Sequence, residues 1–217
     1  MNTKCILLIL LIASAGNSQV LAPELSSGAF EMGYMYKWFH RDMFQIYHWS
    51  IASIYARYGV GNCLTLSAEG LISNFTDSKF PDRDYRHYVV GCGATMHVLT
   101  LGSFRFAVSF HYNERFSFDR SESRYHKDTR GVLVFLQSER SFFFHRGELV
   151  IWLGPAFVYD EILQNVYGYY DTVHDKTHNN LGFICGLNIV LLRYVDMFTH
   201  VVYADYLQPR VGVGIRL

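Results

Sequence analysis

The sequence predicts an all-β fold: an antiparallel up-and-down transmembrane β-barrel of about ten strands, preceded by a cleaved signal peptide. Three observations lead there. Apolar and other residues alternate strictly over segments of strand length. The positions between the apolar ones carry Gly, Ala and Ser with an occasional charge. Connections between segments tend to alternate between short and long.

Residues 104–112 show the alternation most clearly. Phe104, Phe106, Val108, Phe110 and Tyr112 take every second position, with Arg105, Ala107, Ser109 and His111 between them. The pattern returns at Phe30–Trp38, at Leu64–Ala68, at Leu181–Leu191 and at Val211–Leu217. Side chains of a strand point alternately to its two faces, so each segment has two unlike faces. A soluble sandwich or lipocalin-like barrel would turn the apolar faces inward and show water Lys, Glu and Thr. Here the second face is made of tiny side chains and scarce charges, which suits a crowded, partly wet interior in which charges must pair. The apolar faces then belong to lipid: Phe30, Phe106, Phe110, Ile189 and Val213 point outward, and Arg105, Ser109 and Gly214 toward the lumen.

Strands are expected near 28–39, 45–58, 62–73, 85–99, 104–115, 131–141, 148–160, 180–192, 197–206 and 210–217. Most are close to the ~9–11 residues that cross a bilayer at a tilt. Short connections are expected at Arg57–Gly61, Thr100–Ser103 and Arg193–Asp196, with Arg140–Gly147 of medium length on the same rim. Long polar loops are expected at Asn74–Asp84, Phe116–Arg130 and Glu161–Asn179, with His40–Phe44 and Leu207–Pro209 short on that rim. Tyr36, Trp38, Tyr47, Trp49, Tyr112, Phe157, Tyr159 and Tyr203 fall near the long-loop rim, where amphipathic rings favour the headgroup zone.

The N-terminus reads as an address rather than as fold. Lys4, the apolar run Cys5–Ile12 and small residues from Ala13 to Ser18 form a secretory signal over 1–18, leaving 19–217 as one barrel domain. The remaining Cys63, Cys92 and Cys185 are odd in number and far apart, so free thiols are expected. The 217 residues are 50% hydrophobic and 18% charged with a formal net charge of +0, which excludes a basic nucleic-acid-binding surface.

The signal, the even strand count and the final strand Arg210–Leu217 with its apolar terminal residue resemble bacterial outer-membrane β-barrel proteins. That resemblance implies a Gram-negative outer membrane, lipid as the surrounding partner and insertion by the barrel-assembly machinery. Leu217 departs from the terminal Phe this class prefers. The resemblance is one of architecture and transfers no activity.

Several constellations bear on chemistry. His48-Trp49-Ser50 with Asn62 is similar to the His, Ser and Asn of outer-membrane phospholipases, but Asn62 lies far down the strand from Ser50, which is expected opposite the neighbourhood of Glu69. Asp82-Arg83-Asp84 facing Asp171, His174, Asp175 and His178 resembles the paired carboxylates and Asp–His of omptin-type endopeptidases, without their tight Asp-x-His spacing. Asp171-x-x-His174-Asp175-x-x-His178 would present metal ligands on one face only if helical. Asn74-Phe75-Thr76 is a glycosylation triplet in name only in a bacterial host. No catalytic residue, metal or cofactor is assigned on these grounds.

The most coherent polar set is the lumen-facing one: Glu31, Lys37, His48, Glu69, His97, Arg105, His111 and Arg216. About eight strands leave a bore just filled by side chains, and ten sits near that end, so a wide porin is disfavoured. The reading is a monomeric narrow channel or a non-enzymatic structural or surface protein. The alternatives are an omptin-like endopeptidase and a soluble secreted barrel holding a small apolar ligand.

Overall fold

The computed structural model describes residues 25–43, 45–75, 85–119, 124–165, 172–176, 179–204 and 207–217, with backbone alone at several strand ends. Its strands are β1 (Phe30–Met43), β2 (Gln45–Val60), β3 (Leu64–Phe75), β4 (Tyr85–Leu101), β5 (Phe104–Asp119), β6 (Arg124–Phe144), β7 (Gly147–Asn165), β8 (Thr172–Lys176), β9 (Leu181–Leu191), β10 (Val195–Tyr203) and β11 (Leu207–Arg216). Each pairs antiparallel with its neighbours. The circuit runs from β6 back to β1, on through β11, β10 and β9 to β7, and closes where β7 meets β6. β8 pairs only with the far end of β7, above the stretch that pairs with β9. The other ten strands form the closed barrel.

Closure joins the two ends of the described chain. β1 runs against β11 from Glu31 opposite Arg216 to Lys37 opposite Arg210. Below them the amide of Leu217 donates to the carbonyl of Phe30 at 2.7 Å, and Phe30 returns a bond at 3.1 Å. A closed barrel leaves no edge, so every stave satisfies its backbone on both sides.

The two faces separate by parity. Phe110, Leu136, Leu153, Val213 and Ile215 stand exposed on the outer wall, while Glu31, Lys37, Ser109, His111 and Asn188 are buried within. Phe30, Phe106 and Ile189 are on the outer side as well. A barrel that holds an apolar ligand in its bore would need the reverse arrangement.

The inner face is uneven. On β6, β7, β9 and β10 it is bulky and apolar, with Leu133, Phe135, Trp152, Val158, Ile184 and Val202 packed as one cluster. On β3 to β5 it is small, with Thr65, Ser67, Gly91, Gly93, Thr95, Ala107 and Ser109. Large rings lie over glycines on the facing strand. A Cβ on Gly93 would come within 2.1 Å of the His111 ring, one on Gly186 within 2.3 Å of Trp152, and one on Gly212 within 2.2 Å of Phe198. Each of these glycines is the cross-strand partner of the ring that covers it. The small residues of the alternation therefore make room for the large ones.

Several boundaries differ from the sequence reading. The hairpin expected to be a loop over Phe116–Arg130 continues as strand to Asp119 and resumes at Arg124, and β7 and β8 extend through most of Glu161–Asn179. Backbone pairing carries these hairpins past the stretch that the alternation marked as strand. Arg140–Gly147 contracts to the turn His145-Arg146, and His40–Phe44 is mostly strand. Arg57 and Asp196, expected in turns, sit in β2 and β10 and point inward. Cys92 pairs with Ala68, well away from Cys63, and all three described cysteines are free thiols. The signal segment 1–18 lies outside the described residues.

Ring-over-glycine packing has a direct test. Gly186→Ala should destabilise the barrel by about 1–3 kcal/mol, since Trp152 must shift in a filled interior. Gly70→Ala, where a Cβ meets nothing within 4 Å, should change stability by less than about 0.5 kcal/mol. Denaturant unfolding of the two variants in one lipid or detergent compares them; equal effects would refute the packing argument.

Candidate functional site

The bore near the short-turn end is crossed by one polar chain. Glu31 of β1 is its centre. Its Oε1 accepts from Tyr55 Oη at 3.1 Å and from Arg57 Nη1 at 3.2 Å, both on β2. Its Oε2 accepts two bonds from Arg216 of β11, from Nε and Nη2, each 3.2 Å. The same Nη2 reaches Asp196 Oδ2 of β10 at 3.0 Å. Asp196 then accepts from Asn188 Nδ2 of β9 at 3.2 Å, and Asn188 Oδ1 accepts from Trp152 Nε1 of β7 at 2.9 Å. Six staves are tied in sequence, and two carboxylates balance two guanidiniums. Asp196 and Asn188 are fully buried, as is Glu31. Buried charges persist only when paired and hydrogen-bonded, and here each has several partners.

Further pairs stand apart from that chain. Lys37 Nζ lies 2.5 Å from Glu69 Oε1, which bridges β1 to β3 across β2. Arg105 Nη2 lies 2.5 Å from Glu139 Oε1, its cross-strand partner on β6, and Gln137 Nε2 donates to the other oxygen of Glu139 at 2.6 Å. Thr95 and Ser109 share a hydrogen bond of 2.9 Å.

Aromatic rings complete the filling. His111 stacks on Phe135 with centroids 5.7 Å apart, Phe135 on Trp152 at 6.2 Å, and Trp152 meets His200 at 5.7 Å. His200 stacks on Phe198 at 5.6 Å, and Phe198 meets Tyr55 edge-on at 5.6 Å. This series starts on β5, follows the wall to β10 and crosses the bore to β2. Its members are almost entirely removed from solvent. What the interior can do chemically is brace the wall and exclude water. No three described His, Cys, Asp or Glu residues gather to hold a metal ion.

The eight lumen candidates fall as follows. Glu31, Lys37, Glu69 and His111 are buried inside the barrel. Arg216 and Arg105 are partly exposed members of the ion pairs above. His97, beside an irregularity in the β4–β5 ladder, bonds Thr100 at 3.0 Å. His48 is described by backbone alone, opposite His40. Sequence reasoning missed Tyr55, Arg57, Trp152, Asn188, Asp196, Glu139 and Arg210. Parity with Ser53 marks Arg57 as inward, and Glu139 faces Arg105 in register, but both signals need strand ends placed correctly.

The catalytic constellations do not assemble where they are described. Ser50 is the partner of Trp38, and Glu69 faces Tyr55 instead. Asn62 lies in the turn beyond Val60, at least ~33 Å along the strand from Ser50. His174 and Asp175 are in β8, paired with Leu163 and Ile162, so they lie on extended chain and not on the helical face that metal binding needed. Asp82, Asp84, Asp171 and His178 lie outside the described residues.

Among the described residues, charge on the outer faces of β5, β6 and β7 lies at two levels. Glu114, Arg130 and Glu161 are cross-strand neighbours on β5, β6 and β7, with Arg130 paired to Glu161. Tyr112, whose hydroxyl donates to Glu114 at 2.5 Å, and Tyr159 flank Val132 one step below. Arg140 marks the other level, its guanidinium 5.4 Å from the Phe104 ring and 5.0 Å from that of Phe142. Between them β6 shows only Val132, Val134, Leu136 and Ser138 on its outer side.

No family model matches the chain, and no curated protein matches it. Among solved structures it is similar to neisserial surface protein A, NspA, with 11% identity and a TM-score of 0.41 over 89% of this chain and 99% of that one. The N-terminal β-barrel domain of Pseudomonas aeruginosa OprF matches with 11% identity and a TM-score of 0.37 over 89% and 100%. The outer membrane protease OmpT from Escherichia coli matches with 9% identity and a TM-score of 0.43 over 92% and 99%.

The Glu31 network should behave as a unit. Glu31→Ala leaves Arg57 and Arg216 without their shared carboxylate and should cost about 3–5 kcal/mol. Adding Arg57→Ala should cost less than the sum of the two single changes. Denaturant unfolding of the three variants checks this, and strict additivity would count against a coupled network.

Proposed function

We propose that this chain is a membrane-spanning barrel of the bacterial outer membrane with a filled bore, serving a structural or surface role without catalysis. The supporting observation is the uncharged outer belt between Arg130 and Arg140. Ten residues of β6 span ~33 Å along the strand. At a tilt of about 40° that is ~25 Å of height, the thickness of the apolar band on outer-membrane barrels. The other staves agree. Phe30, Met32 and Tyr34 on β1, Leu64 and Leu66 on β3, Leu149, Ile151 and Leu153 on β7, and Val211, Val213 and Ile215 on β11 face outward without a charge.

The interior favours a closed barrel over the narrow channel. Rings and ion pairs pack along the inner wall between nearby staves, and a permeating ion would have to displace buried, mutually bonded charges. An endopeptidase reading has no described pair of groups to support it.

Fractionation with heat-modified gel mobility tests the membrane barrel. The protein should remain with the outer-membrane fraction and migrate differently before and after boiling; recovery as a soluble species would refute the proposal. Leu136→Arg supplies an energetic check. Leu136 is exposed near the middle of the belt, so the change should cost about 2–4 kcal/mol in a bilayer. On a water-exposed wall the same change would fall within about 0.5 kcal/mol.

A further inference from the structure

Resting on the membrane reading, the geometry points to a binding site for the phosphate of an anionic phospholipid on the outer wall at the short-turn rim, built around Arg140. Its position in the ladder carries the argument. Arg140 faces outward, opposite Phe104, the first residue of β5 after the turn at Gly102. On its other side β6 runs four residues further to the turn His145-Arg146. The guanidinium is thus close to the short-turn rim, among the outward rings of Phe104 and Phe142.

Three features shape a phosphate site there. Phe104 and Phe142 flank the cation with their rings, which limits its rotamers. A guanidinium fork matches a phosphate with two parallel bonds. The Glu114–Arg130–Glu161 level carries its own carboxylates, whereas Arg140 has aromatic neighbours. More positive charge lies below. Arg146 and Arg193 are exposed on adjoining turns, joined where the Leu192 amide donates to the Arg146 carbonyl at 2.7 Å. Arg140 supplies the phosphate contact, and Arg146 and Arg193 favour a headgroup with net negative charge over a zwitterionic one.

The test uses the folded full chain in detergent micelles, titrated with phosphatidylglycerol or phosphatidylcholine and read by native mass spectrometry. Wild-type protein should retain phosphatidylglycerol more tightly than phosphatidylcholine. Arg140→Gln should weaken phosphatidylglycerol retention about fivefold, the scale of one basic residue at an anionic surface. Arg130→Gln, at the other border of the belt, should leave it unchanged. Equal retention of both lipids by wild type, or no loss in Arg140→Gln, would overturn the site while leaving the barrel in the membrane. Failure of the wild-type chain to insert into phosphatidylcholine vesicles would overturn the membrane reading, and the site with it.

Discussion

The barrel depends on one carboxylate at its seam. Glu31 sits at the foot of β1, where the first strand meets the last, and accepts from residues of β2 and β11 at once. A strand pair so distant in sequence has a large loop-closure entropy to overcome. Backbone pairing at the seam is the same as elsewhere in the barrel. What distinguishes it is a buried charge held from both sides: apart from β11, Glu31 lacks Arg216; apart from β2, it lacks Tyr55 and Arg57. Register follows from the same fact, since a one-residue slip would turn Arg216 to the outer wall.

Filling the bore explains the composition of the inner face. Ten staves enclose a space in which side chains from opposite walls meet, and a uniform lining would leave gaps or collide. The structure resolves this by contrast: Trp152 over Gly186, Phe198 over Gly212 and His111 over Gly93. The three rings lie in one connected series with Phe135, His200 and Tyr55. Polar chemistry and aromatic packing therefore share the interior, the ion pairs concentrated toward β1, β2 and β11 and the apolar bulk toward β6, β7 and β9.

Period-two alternation made the barrel legible in the sequence. Most staves were readable because they pair an outward apolar row with an inward row of different character, as Phe104–Tyr112 does; on β6 and β7 the inner row is apolar too. The ends were not readable. Beyond the belt, hairpins such as Phe116–Asp119 with Arg124–Lys127 keep their backbone ladder while their side chains lose any apolar requirement. The inner network was half visible for a related reason. Glu31, Lys37, Glu69 and Arg216 stand out as lone charges among small residues. Arg57 and Asp196 border turns and resemble turn residues until strand length is known. Trp152 is an inward residue in a strand so apolar that parity carries little signal, while Asn188 has the inward parity of its strand but no charge to mark it.

That apolar inner quadrant has a consequence for the journey to the membrane. On β6 the run Val132–Leu136 and on β7 the run Leu149–Leu153 are apolar on both faces, five residues each without a charge, Pro or Gly. Short, uncharged, β-prone segments of this kind stack readily with copies of themselves. In the finished barrel one face of each is covered by the Trp152 cluster, and on the proposed membrane reading the other faces lipid. During passage through water neither cover exists, while β3 to β5 alternate with polar and small residues that tolerate hydration. On that reading the hazard of self-association is concentrated in β6 and β7.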